Sequence, residues 1–386
     1  LLYNLIMCKK ICLASGTLLA ILSIFCLASS NISFGDRKSF KIKIPKDIPI
    51  GAVIFESDFS QKHDEEYDTI LIQGEMPDPN IQIEVRVKKK TFIFETTKTY
   101  TAFVFKRFSN GRFWAKFKVD PTRNEFKFSV INRGVKSQHV LIIYEVEVFK
   151  EKKHRYENEN YPEETGPENE QKEINGLPQN IPFKLIRRKQ WNAHDATEPY
   201  IKHHPHMFTI HHTAGRFPKT QAEAIEEVQF IQDYHQNGHG WIDIGYHFLL
   251  GPLGNIYEGR PIDAVGAHVK EHNTNNVGIS IMGNYHPPIS DTPTVKTFES
   301  FITLGKYLKN QYSVKRSSFY AHRELGKTSC PGDNIYSQMK LLRDSIFTST
   351  EAASVQVEAP PLPDETTFAT NAESLKQLLM FRQENR

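Results

Sequence analysis

Cysteine is scarce in this chain of 386 residues: there are four, Cys8, Cys12, Cys26 and Cys330. The first three lie in one apolar N-terminal segment, so a chain that loses this segment keeps one thiol and can form no internal disulfide. That excludes a small secreted scaffold stapled by disulfides. Charge of one sign is also lacking. Lys and Arg number 48 against 45 Asp and Glu, a net of +3, too little to argue for a nucleic-acid partner. No internal repeat is present. The hydrophobic fraction of 39% and the charged fraction of 24% suit a soluble globular protein with some disordered stretches. The length exceeds the ~100–200 residues of one typical domain, so two domains with linkers are expected.

The N-terminus carries Lys9 and Lys10, then an uncharged apolar run from Ile11 to Leu27, then Ala28, Ser29 and Ser30. A positive start, an apolar middle and a small-residue exit describe a secretory signal peptide over residues 1–30, with Met7 as an alternative start. An uncleaved anchor is the next reading, because the run approaches the ~20 residues that span a bilayer. A lipid-modified Cys26 is disfavoured by the bulky Phe25. All three put the remainder outside the cytoplasm, secreted or periplasmic, with membrane contact only through an uncleaved anchor. A lone thiol exported to an oxidising compartment is a liability unless a metal holds it or it is buried and inert.

Residues 38–150 read as an all-β domain, a sandwich or jelly roll. Apolar and polar positions alternate in Phe40–Ile44, Ile81–Val87, Phe113–Val119 and Phe126–Val130, and Val140–Val148 makes a long final strand. Turn signals at 77–80, 109–111 and 132–134 separate them. The domain has 20 Lys and Arg against 15 Asp and Glu, a net of +5. Lys88-Lys89-Lys90 suits either an anionic polymer or an edge strand blunted by lysines. Residues 151–176, with eight Glu against four Lys and Arg, read as a disordered acidic linker. Residues 177–346 form a second domain, and 347–386 a Pro-containing tail with a short amphipathic helix over Ala372–Arg382.

The second domain mixes helix and strand, a central mixed sheet flanked by helices. Phe208–Thr213 reads as a buried strand ending in His211 and His212, which point to opposite faces. Tyr246–Leu250 and Asn255–Glu258 flank a Gly251-Pro-Leu-Gly254 turn and make a hairpin. Val277–Gly283 is near-continuously apolar, interrupted by Ser280, hence central. Gln221–Asn237 and Val295–Tyr312 have helical spacing, with Gly238 and Gly240 as stop signals for the first. His203, His204 and His206 read as a solvated loop. His322 stands eight residues before Cys330 on a strand that leaves the core into a loop, a spacing that suits two zinc ligands. Catalytic zinc takes three protein ligands and a water, so His211 or His212 would supply the third.

Several stretches of this domain then fall into one pattern: Ile186–Ala193, Thr209–Ala214, Gly240–Phe248, Tyr257–Arg260, Gly266–His268, Asn276–Ser280, Met282–Tyr285, and Ala321–Glu324 with Cys330–Gly332. In that order the domain resembles the peptidoglycan recognition protein and type 2 N-acetylmuramoyl-L-alanine amidase family, over about 160 residues. The resemblance implies a zinc ion held by His211, His322 and Cys330, with His212 left out. It implies hydrolysis of the amide between N-acetylmuramic acid and L-alanine, with peptidoglycan or muropeptides as partner. Tyr246 would orient the water or relay its proton. Thr328 would support the oxyanion, with the displaced Lys327 as substitute. Trp241, Arg260, His268, Asn273 and Asn276 would line the substrate groove. A peptidoglycan-binding protein that does not cut is the alternative, against which Cys330 argues. Animal members usually carry a disulfide near the first helix; its absence here suggests a bacterial or phage-like branch.

Overall fold

The computed structural model describes residues 39–45, 48–90, 94–135, 139–159, 174 and 176–348. The expected signal peptide and tail helix lie outside the described residues, as do residues 160–173 and 175 of the expected linker. Among the described residues, no helix is long and apolar enough to cross a membrane.

The N-terminal region contains β1 (Phe40–Lys43), β2 (Val53–Glu56), β3 (Tyr67–Glu75), β4 (Ile81–Lys90), β5 (Glu95–Thr101), β6 (Val104–Arg107), β7 (Arg112–Thr122), β8 (Phe126–Asn132) and β9 (Val140–Phe149). They form two antiparallel sheets, ordered β1-β9-β3-β7-β6 and β2-β8-β4-β5. Rings meet between them: Phe40 lies 5.8 Å from Phe55 and 5.2 Å from Phe128, edge to face. The alternating runs all appear as strands. β3 is central, yet the alternation does not mark it. Its Ile70-Leu71-Ile72 run does not alternate, because both faces are covered.

The second face of β3 is covered by the C-terminal domain. Leu71, Trp114 and Phe149 share one apolar cluster with Val228, Phe230, Ile231 and Tyr234. Polar contacts fix the same interface. Arg112 donates from Nε and Nη2 to the two carboxylate oxygens of Glu227, at 2.9 and 3.0 Å. Trp114 donates from Nε1 to Asp233 at 2.8 Å. The β domain is therefore docked on the other domain.

Residues Glu151–Glu159 form a helix, α1, where the composition suggested a disordered linker. Contacts distant in sequence hold it, and composition does not report them. Asp68 accepts from the Glu151 N–H at 3.1 Å, and Lys116 pairs with Glu151 at 2.9 Å. At the other end the Glu159 carboxylate accepts from the Ile242 N–H at 2.6 Å.

The C-terminal domain is a mixed α/β fold. Its strands are β10 (Leu185–Ile186), β11 (Met207–His212), β12 (Phe248–Leu250), β13 (Ile256–Glu258), β14 (Asn276–Ile281) and β15 (Phe319–Ala321), in the order β10-β13-β12-β14-β11-β15. The β12–β13 hairpin is antiparallel, and β14 and β11 run parallel at the centre. Helices α2 (Gln221–Asp233) and α3 (Val295–Tyr312) stand where the spacing puts them, N-capped by Thr220 and Thr294. Past Asp233 the chain widens into one π-helical stretch, Tyr234–His239, and Gly240 ends it at φ 79°. Short α4 (His322–Leu325) and α5 (Asp333–Tyr336) precede α6 (Met339–Phe347). α3 and α6 cover one sheet face through Phe298, Phe301, Leu304, Leu342 and Ile346; α2 covers the other.

Candidate functional site

The face of the central strand selects the histidine. Phe208 and Ile210 point into the core against α3 and α6. Period two then sends His212 to that side and His211 to the α2 side. The His212 Nδ1 accepts the Tyr285 N–H at 3.2 Å. His211 instead meets His322, ring to ring at 4.6 Å, and its Nδ1 lies 3.6 Å from the Cys330 Sγ. His322 starts α4 directly after β15, where Glu324 caps the turn by accepting from the Ala321 N–H at 2.9 Å. Cys330 is buried, and its carbonyl accepts from the Arg323 N–H at 3.0 Å.

One ligand atom each from His211, His322 and Cys330 lies within 4.8 Å of the other two. Two imidazoles and a thiol so close, two of them buried, form a donor set suited to zinc, which takes nitrogen at about 2.0–2.1 Å and sulfur at about 2.3 Å. A second ring backs the first: the His211 Nε2 lies 3.1 Å from the His268 Nδ1, and the His268 Nε2 lies 3.1 Å from the Asn276 carbonyl oxygen. Burial pushes the His268 imidazole down to about 3, so it is neutral, and hydrogen-bonds at both nitrogens.

Tyr246 lies beside the group, its ring 5.3 Å from that of His211. It lines a cavity of about 510 Å³ together with Trp241, His268, His322 and Lys327. The Thr328 hydroxyl is turned inward and accepts the Cys330 N–H at 3.2 Å. Of the five expected groove residues, Trp241 and His268 reach this cavity. Trp241 stacks on His239 at 4.5 Å. Arg260 is buried and donates to the carbonyls of Ile244, Val265 and Asp243 at 3.0, 2.8 and 3.3 Å. Asn273 accepts from the His268 and Val269 N–H groups and donates to the Asn158 carbonyl. Asn276 bonds Thr209 and the His272 carbonyl. These three side chains brace the loops around the cavity.

The other wall is not legible in the sequence. Glu147, Lys153 and His154, from β9 and α1, line the same cavity. Nothing in the local sequence announces this, since it follows from the docking of β7 on α2.

His203 is a correction: expected in a solvated loop, it is buried. Its Nε2 lies 2.9 Å from the Ile262 carbonyl oxygen, its Nδ1 accepts the Asn275 N–H at 2.8 Å, and its ring stacks on His247. Burial pushes His203 down to about 4 from 6.5, and His247 well below 6.5. A depressed imidazole is protonated first in the unfolded chain. Its stabilisation is full above pH 6.5 and is lost as pH falls toward 4. His203 alone then accounts for about 2 kcal/mol of lost stability by pH 5. Thermal unfolding at pH 7 and pH 5 checks this: His203→Gln should lose less on acidification than the parent, and an equal loss would refute it.

The family model described as N-acetylmuramoyl-L-alanine amidase matches residues 202–333. Peptidoglycan-recognition protein SC2 of Drosophila melanogaster is 35% identical over 157 residues, covering 40% of this chain and 84% of that protein. Peptidoglycan recognition protein 1 of Bos taurus is 32% identical over 157 residues, covering 39% and 80%. Among solved structures, bumblebee PGRP-SA shares 29% identity over 41% of this chain and 93% of that one, with a TM-score of 0.38. These relatives are animal proteins, whereas the missing disulfide had suggested a bacterial or phage-like branch.

Proposed function

The chain belongs to the peptidoglycan-recognition protein family, and from that premise we propose that it is a zinc-dependent N-acetylmuramoyl-L-alanine amidase. It hydrolyses the amide between muramic acid and L-alanine in peptidoglycan. The observation that carries the reading is the approach of His211, His322 and Cys330 to within 4.8 Å. A family member that only binds wall fragments has no need of a buried thiol beside two imidazoles.

Zinc, when bound, supplies Lewis acidity toward a carbonyl oxygen and toward water. The chain's own residues do the rest. His211, His322 and Cys330 would hold the ion, and the Cys330 thiolate would offset part of its charge. His268 fixes the ring orientation of His211 through the 3.1 Å contact at Nε2. Tyr246 would orient a water at Oη or relay its proton, passing its own phenolic proton on as it takes the water's. Thr328 takes the oxyanion-supporting role, since its hydroxyl accepts the Cys330 N–H and keeps its own O–H to donate; the Lys327 ammonium, at the cavity, is the substitute. The two N-terminal sheets, read as a sandwich, serve as a rigid wall for the site. Export rests on the sequence of residues 1–30.

Incubating the zinc-loaded chain with a disaccharide peptide, followed by mass spectrometry, tests the reading. Free peptide beginning in L-alanine is expected. Binding without release would favour the recognition role that the relatives' names describe. His268→Gln should lower zinc affinity by about 10–100-fold, as measured by chelator competition. Unchanged affinity would remove His268 from the ligand-orienting role.

A further inference from the structure

The cavity beside His211, His322 and Cys330 is a cleft between the two halves of the chain. Its volume is about 510 Å³, and both halves of the chain wall it: Trp241, Tyr246 and Lys327 on one side, Glu147, Lys153 and His154 on the other. The opposing wall is fixed in place. Arg112 and Glu227 pair across the interface, both side chains at most 1% exposed, and His154 stacks 5.6 Å from Trp241.

Ion pairs cross one edge of the cleft. Lys153 pairs with Glu65 at 3.3 Å and with Glu157 at 3.1 Å; Lys270 pairs with Glu65 at 3.7 Å and with Glu157 at 3.0 Å. All four residues line the cavity. They form a ring of alternating sign that ties the segment before β3, α1 and the loop after His268 together. Single exposed ion pairs hold weakly, but here the buried interface already brings the three segments together.

A polymer bound at an internal unit continues on both sides of the site and needs a groove open at both ends. A cavity of about 510 Å³ instead falls among those of about 300–1,000 Å³ that enclose small ligands. We propose that this two-domain cleft accepts short, soluble muropeptides and excludes the continuous glycan strands of intact cell wall. The proposal rests on the peptidoglycan reading above and narrows its substrate to one physical form. The β domain sets that form by acting as the second wall of the site.

The test uses the zinc-loaded full chain and two probes. Calorimetry measures binding of a monomeric disaccharide tetrapeptide; co-sedimentation measures binding to insoluble sacculi. Binding of the monomer, with no sedimentation above a sacculus-free control, is expected. Glu65→Ala combined with Lys270→Ala opens the ring and should bring the protein down with sacculi; Lys153→Ala serves the same purpose if the double variant does not fold. Sacculi that carry down the parent as well as the opened variants would overturn the proposal while leaving the peptidoglycan reading intact. Failure to bind either probe would overturn both.

Discussion

Cys330→Ser should abolish peptide release and strip the chain of zinc. The thiol sits in a buried position, 3.6 Å from the His211 Nδ1 and 3.4 Å from the His212 N–H that points at it. That N–H stabilises a thiolate, the form in which cysteine binds metal. A serine hydroxyl in the same place keeps its proton at neutral pH and is a poor partner for zinc. Loss of an outer partner lowers metal affinity by about 10–100-fold, so loss of a direct ligand should exceed about 100-fold. Three readouts separate the metal role from a packing role. Zinc content by mass spectrometry should fall to background. The rise in unfolding temperature that zinc gives the parent should vanish, because a ligand stabilises only the fold that binds it. The zinc-free unfolding temperatures should stay close, since the serine oxygen can still accept the His212 N–H. A Cys330→Ser chain that cut as fast as the parent would refute the mechanism.

The sequence carried much of this site because its chemistry is local. His322 and Cys330 are separated by one short helix and one turn, so their spacing in the chain is nearly their spacing in space. His211 was harder. Alternation said that one of two histidines faces the site, but not which; the assignment needed the family pattern, and in the fold it follows from Phe208 and Ile210 packing on α3 and α6. What stayed hidden depends on contacts between distant segments. β7 reads as a half-buried strand with a polar face toward water, yet Arg112, Trp114 and Lys116 are all buried. Their apparent solvent face is the face that docks on α2. α1 reads as disordered because eight Glu in 26 residues leave little to bury, yet its His154 and Glu159 find partners on the other domain. Burial of this kind by a second domain leaves no period in the sequence.

Arg112→Met should cost about 3–5 kcal/mol of stability, the usual consequence of leaving one member of a buried ion pair alone. The guanidinium does more than neutralise Glu227. It donates to the Gly74 carbonyl at 2.7 Å and to the Gln73 side chain at 2.9 Å, and it lies 3.8 Å over the Phe230 ring. Methionine fills the volume but leaves the buried Glu227 carboxylate without its bidentate partner. Burial already pushes the Glu227 carboxyl up, and without Arg112 only the N–H and the charge of Arg216 oppose that push. A carboxyl raised in the folded state binds its proton there first. Stability then falls as pH rises from the ordinary value of 4.5 through the raised one, so the deficit should be larger at pH 8 than at pH 5. Urea unfolding at the two pH values measures both effects. Arg112→Met with Glu227→Met removes both charges and should recover most of the loss, because a well-packed apolar pair is often as stable as the ion pair it replaces. The same single variant bears on function, since Arg112 holds the β domain against the helix that leads to Tyr234 and Trp241. A loss below about 1 kcal/mol, within the range of an exposed pair, would mean that the two domains are held together by something other than this contact.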